Sequence, residues 1–228
     1  MVRPSKKQQV PNLQEAIKET AWKQIAETGA AALSLRSIAR ELGITAPAIY
    51  NYYSDRDALV TALIVDAYTS LGESQQAAID VLPETDQKKR LHDLGIAYRD
   101  WAIKYPQRYL LIFGTPIPNY VAPVNVTMPA AACAIVPLRN TLQALYSNGQ
   151  LKSDRQVAMT PQLKSMLTVW KDFEGGVANV DVFYLTAVFW SRVHGLVMLE
   201  IGNHVPPPIS DPGELFRREI DNMLIQYL

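Results

Sequence analysis

Apolar side chains recur every third or fourth residue along most of the chain, and this spacing predicts helices rather than strands. The first example is the row Leu13, Ile17, Ala21 and Ile25, which ends at Gly29. Glycine is common just after a helix because it adopts a left-handed backbone without steric cost. No stretch alternates apolar and polar residues between hairpin turns. The sequence therefore predicts an all-α protein.

Two short helices follow the first one, each with a recognisable start. Ser34 is suited to cap the second helix, because its hydroxyl oxygen can accept a hydrogen bond from a first-turn amide, and Gly43 closes that helix. Thr45 precedes the third helix, which has Pro47 in its first turn, where a missing N–H costs no helical hydrogen bond. The pattern predicts a packing helix followed by two short helices joined by a tight turn.

The rest of the chain predicts longer helices and one proline-rich loop. Ser54 and Asp57 have the spacing of a capping box, which predicts a long fourth helix from this point. Residues 114–129 carry too many prolines to be helical, so an ordered loop is expected there. The remaining helices are predicted from about residue 84 to Tyr105, where Pro106 stops the helix, and over 129–149, 160–176, 180–203 and the C-terminal segment.

The segment 180–203 is apolar on two faces, and a helix of this kind needs a partner on each face. One face is expected to pack in its own domain and the other in a homodimer, joined there by the apolar face of the C-terminal helix. The stripes on 180–203 are Phe183, Ala187, Trp190, His194, Val197 and Ile201, and Val182, Leu185, Phe189, Val193 and Leu196. The C-terminal stripe is Phe216, Ile220, Met223 and Tyr227.

Composition narrows the class of protein without choosing a function. A hydrophobic content of 48% in 228 residues suffices for a sizeable core, and the net charge of +0 conceals only a small basic excess in the first 60 residues. One cysteine and three histidines offer no disulfide and no zinc-ligand spacing, so we expect no metal and no cofactor. The chain starts without the apolar core of a signal peptide, and no apolar run approaches the roughly 18 residues of a membrane span. A reducing, cytoplasmic location is expected.

The sequence contains no pattern typical of catalysis. It has no phosphate-binding glycine loop, no nucleophile elbow and no cluster of metal ligands. Cys133 lies in the apolar stretch AAACAIV and is expected to be a small buried hydrophobe. The chain is therefore not expected to be an enzyme. One alternative stays open, a helical ligand-binding or enzymatic protein whose two short helices make protein contacts.

The two short helices and their turn have the pattern of a helix-turn-helix, whose second helix enters the major groove of DNA. For that role its first turn must be slim enough to approach base edges, which Ala46, Pro47 and Ala48 allow. Tyr53 is in register with Ile49 and is expected to lie in the core. Nearby hydroxyl groups can donate hydrogen bonds to phosphates. Suitable hydroxyls belong to Ser34, Thr45, Tyr50 and Tyr52.

The stretch LSLRSIARELGITAPAIYNYYSDRDAL, residues 33–59, resembles the DNA-binding motif of the TetR (tetracycline-repressor-like) transcriptional regulators. The likeness lies in a serine before the second helix, an Ile-Ala pair, a Gly-Ile turn, a tyrosine in the third helix and an arginine opening the fourth. It implies phosphate contacts from Ser34, Tyr50, Tyr52 and Arg56 and base-edge contacts around Thr45, Ala46 and Pro47. Further cations that could contact DNA are Arg36, which could face bases or phosphates, and the tail residues Arg3, Lys6 and Lys7.

Two later stretches, YLLIFGTPIPNY (109–120) and FWSRVHGLVMLEIG (189–202), resemble the C-terminal regulatory domain of some TetR regulators. The resemblance implies a helix-turn-helix DNA-binding domain over residues 1–58 and a helical ligand-binding and dimerisation domain over 59–228. It also implies a ligand-responsive regulator, with a bias toward a repressor, that binds an inverted-repeat operator in double-stranded DNA as a homodimer.

Aromatic side chains are frequent in the later part of the chain, and some of them are expected to line a ligand pocket. Few charges accompany them, so a small apolar or aromatic effector is expected. His194 lies one turn from Trp190 on an apolar face, where a lone histidine is more often a hydrogen-bonded core residue than a ligand contact. The candidate pocket residues are Trp101, Tyr105, Phe113, Tyr120, Trp170, Trp190 and His194.

Overall fold

Helices are the regular secondary structure of this protein. The computed structural model describes residues 12–152, 158–176 and 178–228, and within them it has no β-strand, which confirms the prediction of an all-α protein. A 3₁₀ helix, Ala30–Ala32, separates the first two helices. The α-helices are α1 (Leu13–Thr28), α2 (Leu35–Glu41), α3 (Ala46–Tyr50), α4 (Arg56–Asp80), α5 (Gln87–Lys104), α6 (Pro106–Phe113), α7 (Val124–Ser147), α8 (Pro161–Phe173), α9 (Val180–Ile201) and α10 (Pro212–Tyr227).

The first three helices begin and end where local chemistry predicted. Helix α1 ends at Gly29, whose φ of +81° is a conformation that glycine adopts without a Cβ clash. Ser34 caps α2 by accepting a hydrogen bond from the Ser37 amide at 3.4 Å, and Gly43 turns the chain with a φ of +64°. Thr45 occupies the N-cap position of α3, but its side chain makes no capping hydrogen bond there.

Helix α4 is capped by Asp55, and the predicted capping box of Ser54 and Asp57 is wrong. Asp55 Oδ1 accepts a hydrogen bond from the Ala58 amide at 2.8 Å, and the Ser54 hydroxyl donates to Asp55 Oδ2 at 3.1 Å. A carboxylate is favoured at this position because the helix dipole adds to the capping hydrogen bond. The two hydrogen bonds, chiefly the one from Ala58, hold the pKa of Asp55 below its ordinary value.

Replacing Asp55 by Ala is expected to lower the free energy of unfolding by about 1 kcal/mol, whereas Asn, which also caps helices, should retain most of it. Because the folded-state pKa of Asp55 is depressed, its charge adds stability that is complete above about pH 4 and is lost as pH falls through that pKa. The Asp55→Asn variant should lack this part of the acid dependence. Urea unfolding from about pH 3 to 7 measures both effects; identical acid profiles for wild type and Asn would contradict the assignment.

The proline-rich stretch is more helical than the sequence predicted. Helix α7 begins at Val124, so the prediction of a loop over 114–129 is correct only as far as Pro123. The Pro123 carbonyl accepts hydrogen bonds from two amides of the first turn of α7. Pro129 lies in the next turn, where its missing N–H removes one helical hydrogen bond without ending the helix. A short helix, α6, also follows α5 directly, starting with a proline at a position that proline tolerates.

Helical periodicity predicted which residues share a face, but in two places it predicted the wrong environment. Phe216, Ile220 and Met223 are 1%, 3% and 0% exposed within the chain itself, so the expectation that this stripe of α10 joins an interface is wrong. The face is covered because α10 packs on α5 and α9. Cys133 is exposed rather than buried, with its thiol donating to the Pro129 carbonyl oxygen.

The described chain divides into two compact units, of which the first contains the helix-turn-helix. This unit runs to Ala67 and also includes residues 107–127, which hold most of α6 and the segment after it. Its core includes Ile17, Ile38, Ile49, Leu59, Leu63 and Tyr109, all 0% exposed. Two polar contacts join the later residues to the earlier ones: the Arg108 guanidinium lies 5.2 Å from the ring centre of Trp22, and the Tyr120 and Thr61 hydroxyls are 2.9 Å apart.

The second unit comprises residues 68–106 and the chain from Met128 onward. Helix α9 runs through it in contact with α5, α8 and α10. Arg99 of α5 forms two hydrogen bonds to the Glu200 carboxylate of α9, at 2.8 and 2.6 Å, and both side chains are largely buried. A bidentate, charge-assisted pair of this kind is a strong cross-link between two helices.

Helix α9 is long and apolar enough to cross a membrane by length and composition, so the expectation that no segment meets this criterion is corrected. Seven of its side chains are buried against the rest of the second unit. Its Glu200 is also paired with Arg99. Packing within the unit therefore accounts for part of the apolarity of α9.

Candidate nucleic-acid interface and regulatory cavity

The first turn of α3 is open to solvent. Thr45, Ala46 and Pro47 are all exposed. On the opposite side, Ile49 is 0% and Tyr53 is 5% exposed, which confirms that Tyr53 lies in the core and fixes the orientation of the helix. A short helix anchored on one side with small side chains on the other can approach base edges closely.

Hydroxyl and guanidinium groups surround this turn. Tyr50 and Tyr52 are 44% and 46% exposed, and Arg36 is exposed on α2. The Ser34 hydroxyl is only partly exposed and accepts the capping hydrogen bond of α2, which leaves its hydrogen free to be donated. Such groups can donate hydrogen bonds to phosphate oxygens.

Arg56 is less accessible than the other predicted DNA contacts. Its Nη2 donates to the Ala30 carbonyl oxygen at 3.5 Å, its Nη1 lies 3.8 Å from an Asp57 oxygen, and the side chain is 29% exposed. The guanidinium therefore joins the start of α4 to the connection between α1 and α2 as well as offering a charge. The predicted tail contacts Arg3, Lys6 and Lys7 lie outside the described residues.

Arg40 is a further candidate that the sequence analysis did not include. It lies one helical turn after Arg36 and is exposed on α2, with its Nη2 donating to the Ser37 hydroxyl at 3.4 Å. The signal for it is the spacing of four residues between two arginines, which places both on one face of a helix. The two arginines therefore place two exposed positive charges on α2.

A narrow cavity of about 30 Å³ lies inside the second unit, between α4, α5, α7, α9 and α10. Its lining is almost entirely hydrocarbon, with Gln75, Tyr98 and the indole of Trp190 as the polar exceptions, and no charged side chain contributes to it. The lining residues are Gln75, Leu91, Leu94, Gly95, Tyr98, Ala134, Ile135, Leu138, Phe189, Trp190, Val193, Ile220 and Leu224. Its surface suits an uncharged ligand, because a charge would lose hydration without gaining a partner.

Tyr98 connects the cavity to His194. The Tyr98 hydroxyl and His194 Nδ1 are 3.1 Å apart and share a hydrogen bond, and the His194 ring lies 5.5 Å from that of Trp190. Burial lowers the pKa of His194 below its ordinary value, so the imidazole is neutral at pH 7. This pair is therefore a neutral polar group beside an apolar cavity.

The other predicted pocket residues have separate surroundings. Trp101 is buried and donates from Nε1 to the Ser70 hydroxyl at 3.0 Å, with Tyr105 beside it at 5.8 Å between ring centres. Trp170 packs edge-on against Phe183. Phe113 and Tyr120 belong to the first unit, and Phe113 packs against Tyr109. Among the seven predicted residues, the cavity brings together Trp190 and, through Tyr98, His194.

Metal ligands do not cluster in the described ranges 12–152, 158–176 and 178–228. No group of three His, Cys, Asp or Glu side chains there is arranged to hold a metal ion.

Two known protein families match separate parts of the chain. Residues 17–63 match the family described as bacterial regulatory proteins, tetR family. Residues 91–223 match the family described as tetracyclin repressor-like, C-terminal domain. The second match spans more than half of the chain and includes most residues that line the cavity.

Individual relatives match over nearly the whole length. The HTH-type transcriptional regulator Rv1816 of Mycobacterium tuberculosis is 31% identical over 205 residues, covering 90% of this chain and 87% of that protein. The crystal structure of SCO4313 has a TM-score of 0.76 at 32% identity, covering 98% of this chain and 99% of the other. The TetR family regulator PfmR from Thermus thermophilus shares the fold, with a TM-score of 0.61 at 18% identity over 92% and 97% of the two chains.

Proposed function

The chain belongs to the TetR family of transcriptional regulators and is a DNA-binding regulator, and from this premise we propose that it acts as a cytoplasmic repressor. Residues 1–58 supply DNA binding, and residues 59–228 supply dimerisation and ligand response. A homodimer binds an inverted-repeat operator, and a small apolar molecule releases it. The observation that carries the DNA-binding role is the exposed first turn of α3, Thr45 to Pro47, between exposed hydroxyl and guanidinium groups.

DNA recognition divides between positioning and base reading. Tyr50, Tyr52 and Arg56 hold the recognition helix against phosphates, because hydroxyl and guanidinium groups donate to phosphate oxygens without reading sequence. Thr45 and Ala46 contact base edges, where the absence of long side chains permits close approach. Ser34 and Arg36, at the start of α2, add phosphate contacts on the α2 side of the turn that joins α2 to α3.

The homodimer forms through α8 and α9. Met166, Val169 and Phe173 of α8 are 63%, 68% and 65% exposed, so one apolar side of this helix is left uncovered by the part of the chain that the structure describes. Two apolar residues, Val188 and the exposed Leu199, lie on the outer side of α9 in the same unit. Apolar surface of this kind at helical spacing favours packing on a second copy. A two-fold axis through that contact presents two recognition helices, which requires an operator of two inverted half-sites.

Ligand binding occurs in the cavity of the second unit, and the lining supports a neutral, mostly apolar effector. Trp190 and the Tyr98–His194 pair supply aromatic surface and one polar group at its wall. Regulation requires that the effector prefer the conformation that binds DNA poorly, by about 1–3 kcal/mol in typical cases. Linkage then demands that operator DNA weaken effector binding by the same factor.

The role of Arg56 as a phosphate contact predicts a particular salt dependence. Arg56→Ala should weaken binding to all duplexes by a similar factor and lower the slope of log affinity against log salt by about one unit, because one counterion fewer is released. Tyr50→Phe should also weaken all sequences alike, yet leave the slope unchanged, since a neutral hydroxyl displaces no counterion. Fluorescence anisotropy over a salt series measures both.

Arg56→Ala also removes the hydrogen bond to Ala30, so thermal unfolding of the variant must be recorded at the same time. Arg56→Lys is the matched control. It keeps the positive charge, so the salt slope should stay at the wild-type value, although lysine lacks the bidentate hydrogen-bonding geometry of arginine. A changed preference among sequences together with an unchanged slope in Arg56→Ala would mean that Arg56 reads bases and that the assignment is wrong.

A further inference from the structure

The cavity of the second unit is too small for an organic effector. A volume of about 30 Å³ has room for only about two water molecules, whereas a cavity that binds benzene is several times larger. Enclosing an effector there requires two of the helices that form the walls to separate. The strength of the links between these helices decides which pair separates.

The walls formed by α5, α9 and α10 are firmly joined. Arg99 and Glu200 connect α5 to α9 by two charge-assisted hydrogen bonds, which are roughly twice as strong as neutral ones. Between α5 and α10, Gly95 is so close to Ile220 that a Cβ on the glycine would lie 2.5 Å from the isoleucine Cδ1. Beside this packing, the Arg99–Glu200 pair gives the α5–α9 wall a charge-assisted link.

The contact between α4 and α7 is of a different kind, because it depends on a proline. Pro137 has no N–H, so the Cys133 carbonyl loses its usual intrahelical donor. Gly72 of α4 packs directly on that carbonyl: a Cβ added to Gly72 would lie 2.5 Å from the Cys133 oxygen. The absence of a side chain at Gly72 is what allows α4 to approach the proline-interrupted turn of α7.

A neutral hydrogen bond completes this contact at the wall of the cavity. Gln75 is 3% exposed, and its Nε2 donates to the Ala134 carbonyl oxygen of α7 at 2.8 Å and, less closely, to Leu71 O at 3.4 Å. Gln75 and Ala134 both line the cavity. The α4–α7 contact is thus held by a neutral bond next to the space that an effector must enlarge.

We infer that the effector is a neutral phenol or alcohol that separates α4 from α7, with its hydroxyl group inserted between Gln75 and Ala134. Opening the bond with a hydrocarbon alone would leave the buried Gln75 amide with only its longer hydrogen bond to Leu71 O and would take the second donor from the Ala134 carbonyl, which is costly in a buried site. A hydroxyl group accepts from Gln75 Nε2 and donates to the Ala134 carbonyl at once, so it satisfies both. The uncharged lining disfavours a carboxylate or an amine in the same place.

This inference rests on the proposed regulatory function, and it identifies the point at which the effector acts on α4. Helix α4 is continuous from Arg56 to Asp80, so residues at its start belong to the DNA-binding unit while Gln75 belongs to the regulatory unit. When the Gln75–Ala134 hydrogen bond is lost, α4 loses one of the contacts that hold it against α7 in the second unit. Gln75 is therefore a residue that both binds the effector and positions the helix that leads to the DNA-binding unit.

The test compares two probes of matched shape, 2-naphthol and 2-methylnaphthalene, on the full-length protein without DNA. Calorimetry measures 2-naphthol, and competition against it measures the poorly soluble hydrocarbon. The wild type should bind 2-naphthol about 10-fold more tightly, the factor expected for one satisfied buried hydrogen-bonding group. In Gln75→Leu the preference should fall to about 2-fold or less. Gln76→Leu, one position along on the exposed side of α4, should keep the full preference.

Three results would overturn the inference: equal binding of the two probes by the wild type, no binding by the wild type, or a preference that survives in Gln75→Leu. If the preference survives there and is lost in Tyr98→Phe, the hydroxyl group binds at Tyr98 instead. Thermal unfolding checks each variant, and Gln75→Met replaces Gln75→Leu if the latter does not fold. Because no DNA is present, a failure here is distinct from a failure of the wild type to bind any duplex, which would refute the proposed function instead.

Discussion

Replacing Ala46 by Glu is expected to lower affinity for a specific duplex by about 1000-fold or more, since that factor separates specific from non-specific binding. Ala46 is exposed at the first position of α3, where the recognition helix must approach base edges. A glutamate there is too long for the approach and places a negative charge among phosphates. The fold should be unaffected, because an acidic residue in the first turn of a helix is favourable.

The matched control is Ala77→Glu, which adds the same group at an exposed alanine of α4 in the second unit and should bind DNA normally. Anisotropy titrations of both variants, with thermal unfolding in parallel, separate binding from stability. Tight specific binding by a folded Ala46→Glu protein would mean that the first turn of α3 does not face the bases.

A charge at Val169 is expected to split the homodimer and to reduce operator affinity by about 100-fold or more, because a single half-site contact forfeits the second one. Val169 is 68% exposed on the uncovered side of α8, so Val169→Asp leaves the fold of the single chain intact. Sedimentation would then report a monomer at concentrations where the wild type is a dimer.

Ile225→Asp is the control for that experiment. Ile225 is also β-branched and 68% exposed, but it lies on α10 outside the proposed face. This variant should remain dimeric and bind normally. If Ile225→Asp dissociates and Val169→Asp does not, the dimer forms through α10 rather than through α8. A monomeric Val169→Asp that still bound the operator tightly would refute the requirement for two half-sites.

The boundaries of the helix-turn-helix were predictable from sequence because each depends on residues within one turn. Ser34 accepts from an amide three residues away, and Gly43 supplies a backbone conformation that other residues adopt at a cost. The same locality explains the error at α4. Ser54 and Asp55 are both good N-cap residues. Asp55 is the cap because α4 begins at Arg56, the residue directly after it.

The sequence predicted which residues share a helical face better than it predicted what that face packs against. Phe216 and Ile220 form an apolar stripe as the periodicity requires, but a stripe does not identify its partner, and here α5 and α9 cover it. Cys133 has the sequence context of a core residue among alanines, yet it is exposed on α7. Burial of this kind depends on contacts between residues far apart in sequence.

The cavity of the second unit could not be located from aromatic content. Of the predicted residues, Trp190 lines it, whereas Phe113 and Tyr120 lie in the first unit. Most of the lining consists of aliphatic residues with no distinguishing sequence signal. Gln75 was missed for the same reason, because a buried glutamine within a long helix is recognisable only when its partner, the Ala134 carbonyl, is known.

The most direct test of the central claim is binding of the wild type to a duplex selected from a random pool, compared with the same duplex in which one half-site is scrambled. A homodimeric DNA-binding regulator should select an inverted repeat, bind it with two chains per duplex and lose affinity steeply as salt rises. Scrambling one half-site should weaken binding by about 100-fold or more. Selection of no consensus, or equal and salt-independent binding to both duplexes, would contradict the account and favour a helix-turn-helix that makes protein contacts.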